Sequence, residues 1–416
     1  MGYLTVFENE TLIIGEGGLT PSEAERLIVV AEQRPGLSTR GHRSIQFAQY
    51  CGLVNLDGRM LEILPKLTEH RDPEQSVGIL LRLLSYAREF SLFQHLPAGH
   101  QLRPNRLLEV FISAFLDTIS RIVHGGLLRQ YREQEDDLRV VRGQIMFGRQ
   151  LGALFNRPDV IACRFDDLTA DNIWNQIIKA GLRAAGPWIM SLELNRRWVE
   201  LVSAFTEVDD VNFDRTIWNR LTWDRHAVRY RAAVEWARWI LSLLSPSLQA
   251  GDREAPGLLF DMNALFQSAL TAILRRAASA TGLTVHGKGR SHHLASIVGT
   301  DRQAFTLKPD LILERGGQVL AIGDTKWKRL QVREGFLVPT PGDVYQMHAY
   351  AAAYGCSDLA LIYPWHSGLE NASDTVFELP QLPCGTPRIT VIGVDLSCDP
   401  PRTVQQGTSP FVSLLR

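Results

Sequence analysis

Hydrophobic and polar positions give the two halves of this chain different textures. In the second half, Phe266, Leu270, Ile273 and Ala277 recur at helical spacing and predict a helix with one buried face. Two apolar runs follow, Leu311-Ile312-Leu313 and Val319 to Ile322, on either side of Arg315-Gly316-Gly317-Gln318. Apolar runs around a Gly-Gly pair predict a β-hairpin. A helix over about 343–354 and strands at 359–363, 376–379 and 389–394 complete this half. In the first half, an early strand pattern gives way to Thr20-Pro21-Ser22-Glu23, a capping box with proline at the first helical position. The helix it opens has Ala24, Leu27, Ile28 and Ala31 on one face. Short β-like runs at 45–47, 52–56 and 60–64 follow, with an Asp57-Gly58 turn between the last two. Helical patterns then dominate, at about 76–90, 105–124, 171–184 and 226–244.

Between the halves, residues 245–257 (Ser-Pro-Ser-Leu-Gln-Ala-Gly-Asp-Arg-Glu-Ala-Pro-Gly) read as a linker. The expected organisation is therefore an N-terminal mixed β/helical region over 1–250, with a subdomain break near 95–105, and a C-terminal domain over 251–416. A chain of 416 residues, 45% hydrophobic and 21% charged, can build two or three cores. Its five cysteines are scattered without a Cys-x-x-Cys, against a disulfide framework and against structural zinc. The N-terminus lacks the pattern of a signal peptide and no apolar stretch reaches membrane-spanning length, so a cytoplasmic protein is expected. Net charge is −1, so any contact with nucleic acid must come from local patches or a partner.

The chemistry gathers at the hairpin. Folding about Gly316-Gly317 brings Asp310 beside Gly323 and Asp324, and alternation puts Asp324 and Lys326 on one face. Two carboxylates and an ammonium among Leu, Ile, Val and Ala are costly unless paired or metal-bound. The group suits Mg²⁺, with Mn²⁺ as a substitute, held by Asp310 and Asp324, with Lys326 beside it to orient water. An isolated Asp-x-Lys would be read as a surface ion pair; here Pro309-Asp310 precedes it on the partner strand. The spacing resembles the Pro-Asp…Asp-x-Lys signature of the PD-(D/E)xK nuclease superfamily. On the helix that follows, Gln346 and Tyr350 lie one turn apart, similar to the Gln-x-x-x-Tyr motif of RecB-like nucleases. Lys308, Lys328, Arg329 and Arg333, with Lys288 and Arg290 upstream, form a basic patch suited to DNA phosphates.

Further motifs follow one another in a familiar order: Glu62-Ile63-Leu64-Pro65-Lys66, Val141-Arg142-Gly143-Gln144-Ile145, and Phe165 through Asn172 with Asn175. Tyr230 through Ala237, Leu259 through Asn263 and Asp343 through Met347 continue it. From about residue 45 to 396 the chain resembles the McrC family. That resemblance implies an α/β (α+β) protein with a C-terminal restriction-endonuclease-like domain, a mixed sheet flanked by helices. It also implies an endonuclease subunit of a modification-dependent restriction complex, acting on double-stranded DNA with modified bases. Its partner would be an McrB-like AAA+ GTPase hexamer, docked and stimulated by the N-terminal half.

One position departs from the family. Gln267 stands where a glutamate is expected on the helix before the hairpin, so a supporting role replaces that of a metal ligand. Asp261, nearby, is expected to cap that helix. The segment Gly282 to Gly289 approaches a P-loop but has glycine where a magnesium-binding Ser or Thr is required, so this chain binds no nucleotide. His292-His293 read as exposed loop residues, and no Gly-x-Ser-x-Gly or His-Glu-x-x-His motif occurs. Two other readings stay open on sequence: a stand-alone RecB-like repair nuclease and a non-catalytic adaptor of a GTPase.

Overall fold

The computed structural model describes residues 2–15, 18–33, 38–41, 43–56, 58–67, 72–87, 106–211, 215–244, 257–287 and 291–416. Asp57, the break near 95–105, the linker up to residue 256, Lys288 and Arg290 fall outside them, apart from Gly58 in the Asp57-Gly58 turn. Among the described residues, no helix is long and apolar enough to cross a membrane.

The chain packs as two units, one of Leu108–Pro256 and one joining Gly2–Leu107 to Gly257–Arg416. The boundary expected at 250/251 is not the one this packing follows. The reason is the strand Gly257–Asp261, which runs antiparallel to Tyr50–Asn55, some two hundred residues upstream. With Arg59–Leu64 and Gly2–Phe7 these strands form a four-stranded sheet. At their contact Gly52 has φ +138°, and a Cβ there would meet Leu258 O at 1.9 Å, so only glycine lets the strands pair. The helix Met262–Ala278 then packs on Pro73–Tyr86, and the buried Trp327 indole donates to Glu8 Oε2 at 2.9 Å. The described residues up to Ala87 thus share a body with the hairpin.

That body is built on a seven-stranded mixed sheet. Its strands lie in the order Thr284–Gly287, Leu311–Arg315, Gln318–Thr325, Asp358–Pro364, Arg388–Asp395, Thr375–Glu378, with Arg402–Thr403 also paired to Arg388–Asp395. Gln318–Thr325, Asp358–Pro364 and Arg388–Asp395 are mutually parallel; the others pair antiparallel. The parallel centre explains the unbroken apolar runs in sequence, since both faces are covered. On one face, alternate residues Leu359, Leu361 and Tyr363 join Met347, Tyr350 and Ala351 of the helix Pro341–Tyr354 in one buried cluster. The helix Met262–Ala278 packs on Thr284–Gly287 and Gln318–Thr325. Asp261 caps it as expected, accepting from Asn263 N at 2.9 Å and Ala264 N at 3.3 Å.

In the unit of Leu108–Pro256, the helices Ile173–Ala185 and Arg231–Leu244 pack together, and Phe111 meets Trp236 at 5.9 Å between ring centroids. Asn172 and Asn175 both donate to Leu128 O and Ala170 O, which gives the Asp-Asn-x-x-Asn motif a structural role. The helical reading of this half needs one correction. Gln130–Leu138, Gln144–Ile145 and Ile161–Thr169 form a three-stranded antiparallel sheet. Arg164 of this sheet pairs with Glu135 at 2.7 Å, a cross-strand contact between polar side chains.

Candidate active site

The hairpin turns as the sequence predicts. Gly316 and Gly317 have φ of +59° and +85°, the pair of positive values that a type I′ turn needs. The register sets Leu311 opposite Gly323, so Asp310 arrives beside Asp324 at the open end of the strand pair.

Asp310 is held from two sides. Its Oδ2 accepts from Thr325 N at 2.9 Å and Thr325 Oγ1 at 2.7 Å, while Gln267 Nε2 donates to Oδ1 at 2.8 Å. Gln267 therefore reaches the site from its helix as a hydrogen-bond donor. Asp324 is only 2% exposed. Its Oδ2 lies 2.6 Å from Lys326 Nζ, yet no donor is aligned on that oxygen as in a proper hydrogen bond. Burial pushes the Asp324 carboxyl up to about 6; the neighbouring charge of Asp310 adds to the rise and Lys326 opposes it.

Lys326 donates instead to Gln346 Oε1 at 2.8 Å. Gln346 Nε2 donates to Tyr350 OH at 2.7 Å, and that hydroxyl donates to Lys308 O at 3.2 Å. A relay thus runs from the lysine through the helix Pro341–Tyr354 to the chain just before Asp310. Burial raises the Tyr350 hydroxyl, and the charge of Asp324 adds to it, so the phenol stays protonated.

One member of the cluster escaped the sequence reading. Asp343, 6% exposed, lies 3.9 Å from Lys326 Nζ, 2.6 Å from Lys328 Nζ and accepts from Tyr363 OH at 3.0 Å. Burial would raise its carboxyl, but hydrogen bonds from Lys328, Thr340 and Tyr363 outweigh that and hold it below the usual range. The available signal was Thr340-Pro341-Gly342-Asp343, a capping box with an acidic third residue. Of the basic patch, Lys328 pairs with Asp343, and Lys308, Arg329 and Arg333 are exposed. His292 and His293 lie on a strand, His292–Ser296, and not in the loop expected for them.

These residues fit a divalent ion. The buried Asp324 oxygen without an aligned donor and the mutual repulsion of the two carboxylates are the features a cation relieves. Among the described residues no three His, Cys, Asp or Glu side chains are so placed that together they could hold a metal ion. Two carboxylates suffice for Mg²⁺, which keeps several waters and takes substrate oxygens. Gln267→Glu tests the third position. A carboxylate there loses the bond to Asp310 and adds repulsion, so the ion-free variant is expected to melt lower than the parent. It should also show a larger thermal shift with Mn²⁺. Equal shifts in both proteins would place residue 267 beyond the ion's reach.

The chain matches the family described as McrBC 5-methylcytosine restriction system component over residues 45–364. Among solved structures it is similar to a chain of the refined half-complex from the tetradecameric assembly of Thermococcus gammatolerans McrB AAA+ hexamers with bound McrC. The TM-score is 0.70 at 19% identity, covering 99% of this chain and 98% of that one. It is also similar to a chain of the Thermococcus gammatolerans McrBC complex, with a TM-score of 0.50 at 22% identity, covering 67% and 88% respectively. At these identities the likeness is one of fold. No curated protein matches.

Proposed function

We propose that this chain, which belongs to the McrBC 5-methylcytosine restriction system component family, is the endonuclease subunit of its restriction complex. The observation that carries the reading is the convergence of Asp310, Asp324 and Lys326 at one end of the hairpin, with Lys326 bracketed by Asp324 and Gln346. Asp310 and Asp324 would hold Mg²⁺, or Mn²⁺ in its place, which when bound neutralises charge on a phosphate and lowers the pKa of attacking water. Thr325 and Gln267 fix the Asp310 carboxylate, so its orientation is set before substrate arrives. Lys326 Nζ, held toward the site by Gln346, orients the water and stabilises negative charge on the phosphoryl oxygens. Lys308, Arg329 and Arg333 take flanking phosphates of the duplex.

A partner follows from two supports. The chain carries no intact P-loop, so nucleotide-driven movement on DNA must come from another subunit. The similar chain of known structure is part of an assembly of McrB AAA+ hexamers with bound McrC. We therefore assign an McrB-like AAA+ GTPase as partner, DNA with modified bases as substrate, and docking and stimulation to the N-terminal half, residues 1–250. The purified chain alone is expected to leave duplex DNA intact. Cleavage is expected when the partner, GTP, Mg²⁺ and methylated duplex are all supplied, measured as linearised plasmid. Rapid cutting of unmodified DNA by the isolated chain would mark an autonomous nuclease instead. GTPase stimulation without any cleavage would mark an adaptor.

A further inference from the structure

The chain between the helix Met262–Ala278 and the catalytic hairpin makes a ribbon of its own. His292–Ser296 and Gln303–Leu307 pair antiparallel with each other and form a separate two-stranded sheet. Every residue of the first strand is exposed. Isolated two-stranded ribbons are marginal in water, yet this one displays large apolar side chains: Leu294 is 56% exposed, Ile297 50%, Phe305 73% and Val298 99%. Leu294 and Phe305 lie between the pairs His293–Thr306 and Ala295–Ala304, and Ile297 N–H donating to Arg302 O at 2.9 Å closes the tip. A cluster of this kind at a ribbon's end marks an interaction surface.

The base of the ribbon is tied to the site. The His292 ring packs on Tyr354 at 4.2 Å between centroids, and Tyr354 OH donates to Leu307 O at 3.3 Å. Tyr350, the end of the relay from Lys326, donates to Lys308 O, and Asp310 follows two residues later. The same helix that backs the catalytic lysine therefore anchors the ribbon.

We infer that this ribbon is a DNA arm that enters a groove of the duplex being cut, an inference that rests on the nuclease reading. Val298 and Phe305 lie against the bases and sugars, while Arg302 and Lys308 neutralise phosphates. Duplex DNA is the occupant because only Lys308, Pro309 and Asp310 separate the end of the ribbon at Leu307 from the catalytic strand Leu311–Arg315, so a duplex that reaches Asp310 also passes Leu307 and Lys308. Shape agrees, since the major groove admits a two-stranded ribbon. Charge does not oppose it: between His292 and Lys308 the chain carries Arg302 and Lys308 against one acidic residue, Asp301. In the major groove apolar side chains have a partner in the thymine methyl group.

The test uses the full chain with a short methylated duplex in EDTA at low salt, read by fluorescence anisotropy and by sedimentation. The double variant Ile297→Ser with Val298→Ser changes exposed positions only, so the fold is spared. Its duplex affinity is expected to fall about tenfold, the loss for one buried aliphatic side chain, with the salt dependence unchanged. Arg302→Ala is expected to lower the salt slope by about one. Duplex affinity equal to the parent's in the double variant would overturn the arm. So would absence of duplex binding by the parent, or a change of sedimented mass in place of the affinity loss, which would make the ribbon a contact between copies. Asp324→Ala separates the two layers of argument. If it abolishes cleavage by the assembled complex while the ribbon variant binds like the parent, the arm fails and the nuclease reading stands. If it cleaves normally, the nuclease reading fails whatever the ribbon does.

Discussion

Replacing Asp324 by alanine is expected to lower DNA cleavage by the assembled complex by about three orders of magnitude or more, with partner GTPase stimulation retained. The size follows from what is lost together. The buried carboxylate pairs with Lys326 and stands beside Asp310, so its removal takes one of the two proposed ion ligands and releases the lysine from one of its two close partners. A single electrostatic contact in an active site is worth roughly 10²–10³ in rate. Residues that act as a unit give non-additive losses, so Asp310→Ala and Lys326→Ala should each approach the same floor, and the triple variant should fall little further. Gln346→Ala and Tyr350→Ala act through Lys326 and should cost less, about tenfold to a hundredfold, because the lysine keeps Asp324 and Asp343. Cleavage is read on plasmid and GTPase stimulation by phosphate release from the same preparation. Retained cleavage in Asp324→Ala would remove the hairpin from consideration. Equal loss of both readouts in folded protein would show that cutting and stimulation cannot be separated.

The hairpin was legible in sequence because its information is local. Two apolar runs and a Gly-Gly pair specify strand, turn and register at once, and the register alone sets Asp310 beside Asp324. Gln346 and Tyr350 were legible for the same reason, one turn apart on one helix. Asp343 was not read as part of the site, because its partners Lys328 and Tyr363 come from a loop and a different strand. The strand Gly257–Asp261 was lost next to a polar linker, since the residues it pairs with lie at Tyr50–Asn55. Gln130–Leu138 failed as a strand because Gln-Tyr-Arg-Glu-Gln-Glu-Asp-Asp-Leu has no alternating apolar face. Its pairing depends on Ile161–Thr169 across the sheet, where Arg164 meets Glu135. Gln267 was recognised as a departure from the resembling family, but only the fold gives its consequence: the amide donates where a carboxylate would repel Asp310.

Asp324→Asn is expected to make the protein more stable at neutral pH while abolishing cleavage. The Asp324 carboxyl is pushed up to about 6 against an ordinary value of 3.8, with burial as the first cause and Asp310 as the second. The folded state therefore disfavours the charged form. The sign follows from linkage: a raised folded pKa gives stability that is complete below the unfolded value, near pH 4, and lost as pH rises through about 6. At neutral pH and without a divalent ion, the parent carries that loss, on the order of 2–3 kcal/mol from the shift alone. An amide of nearly the same shape avoids it, and Lys326 keeps Gln346 and Asp343 nearby. Part of the gain is forfeited because the Lys326 ion pair disappears. A net rise of about 2–4 °C in melting temperature is expected at neutral pH in EDTA for a unit of this size. The difference from the parent should shrink as pH falls from 6 to 4, where the parent's own carboxyl takes up its proton. Mg²⁺ should narrow the gap from the other direction, by stabilising the parent and not the variant. Thermal melts of both proteins at three pH values, with and without the ion, measure this. A variant less stable than the parent at every pH would show that the carboxylate is held in place for its ion pair and not at the expense of the fold.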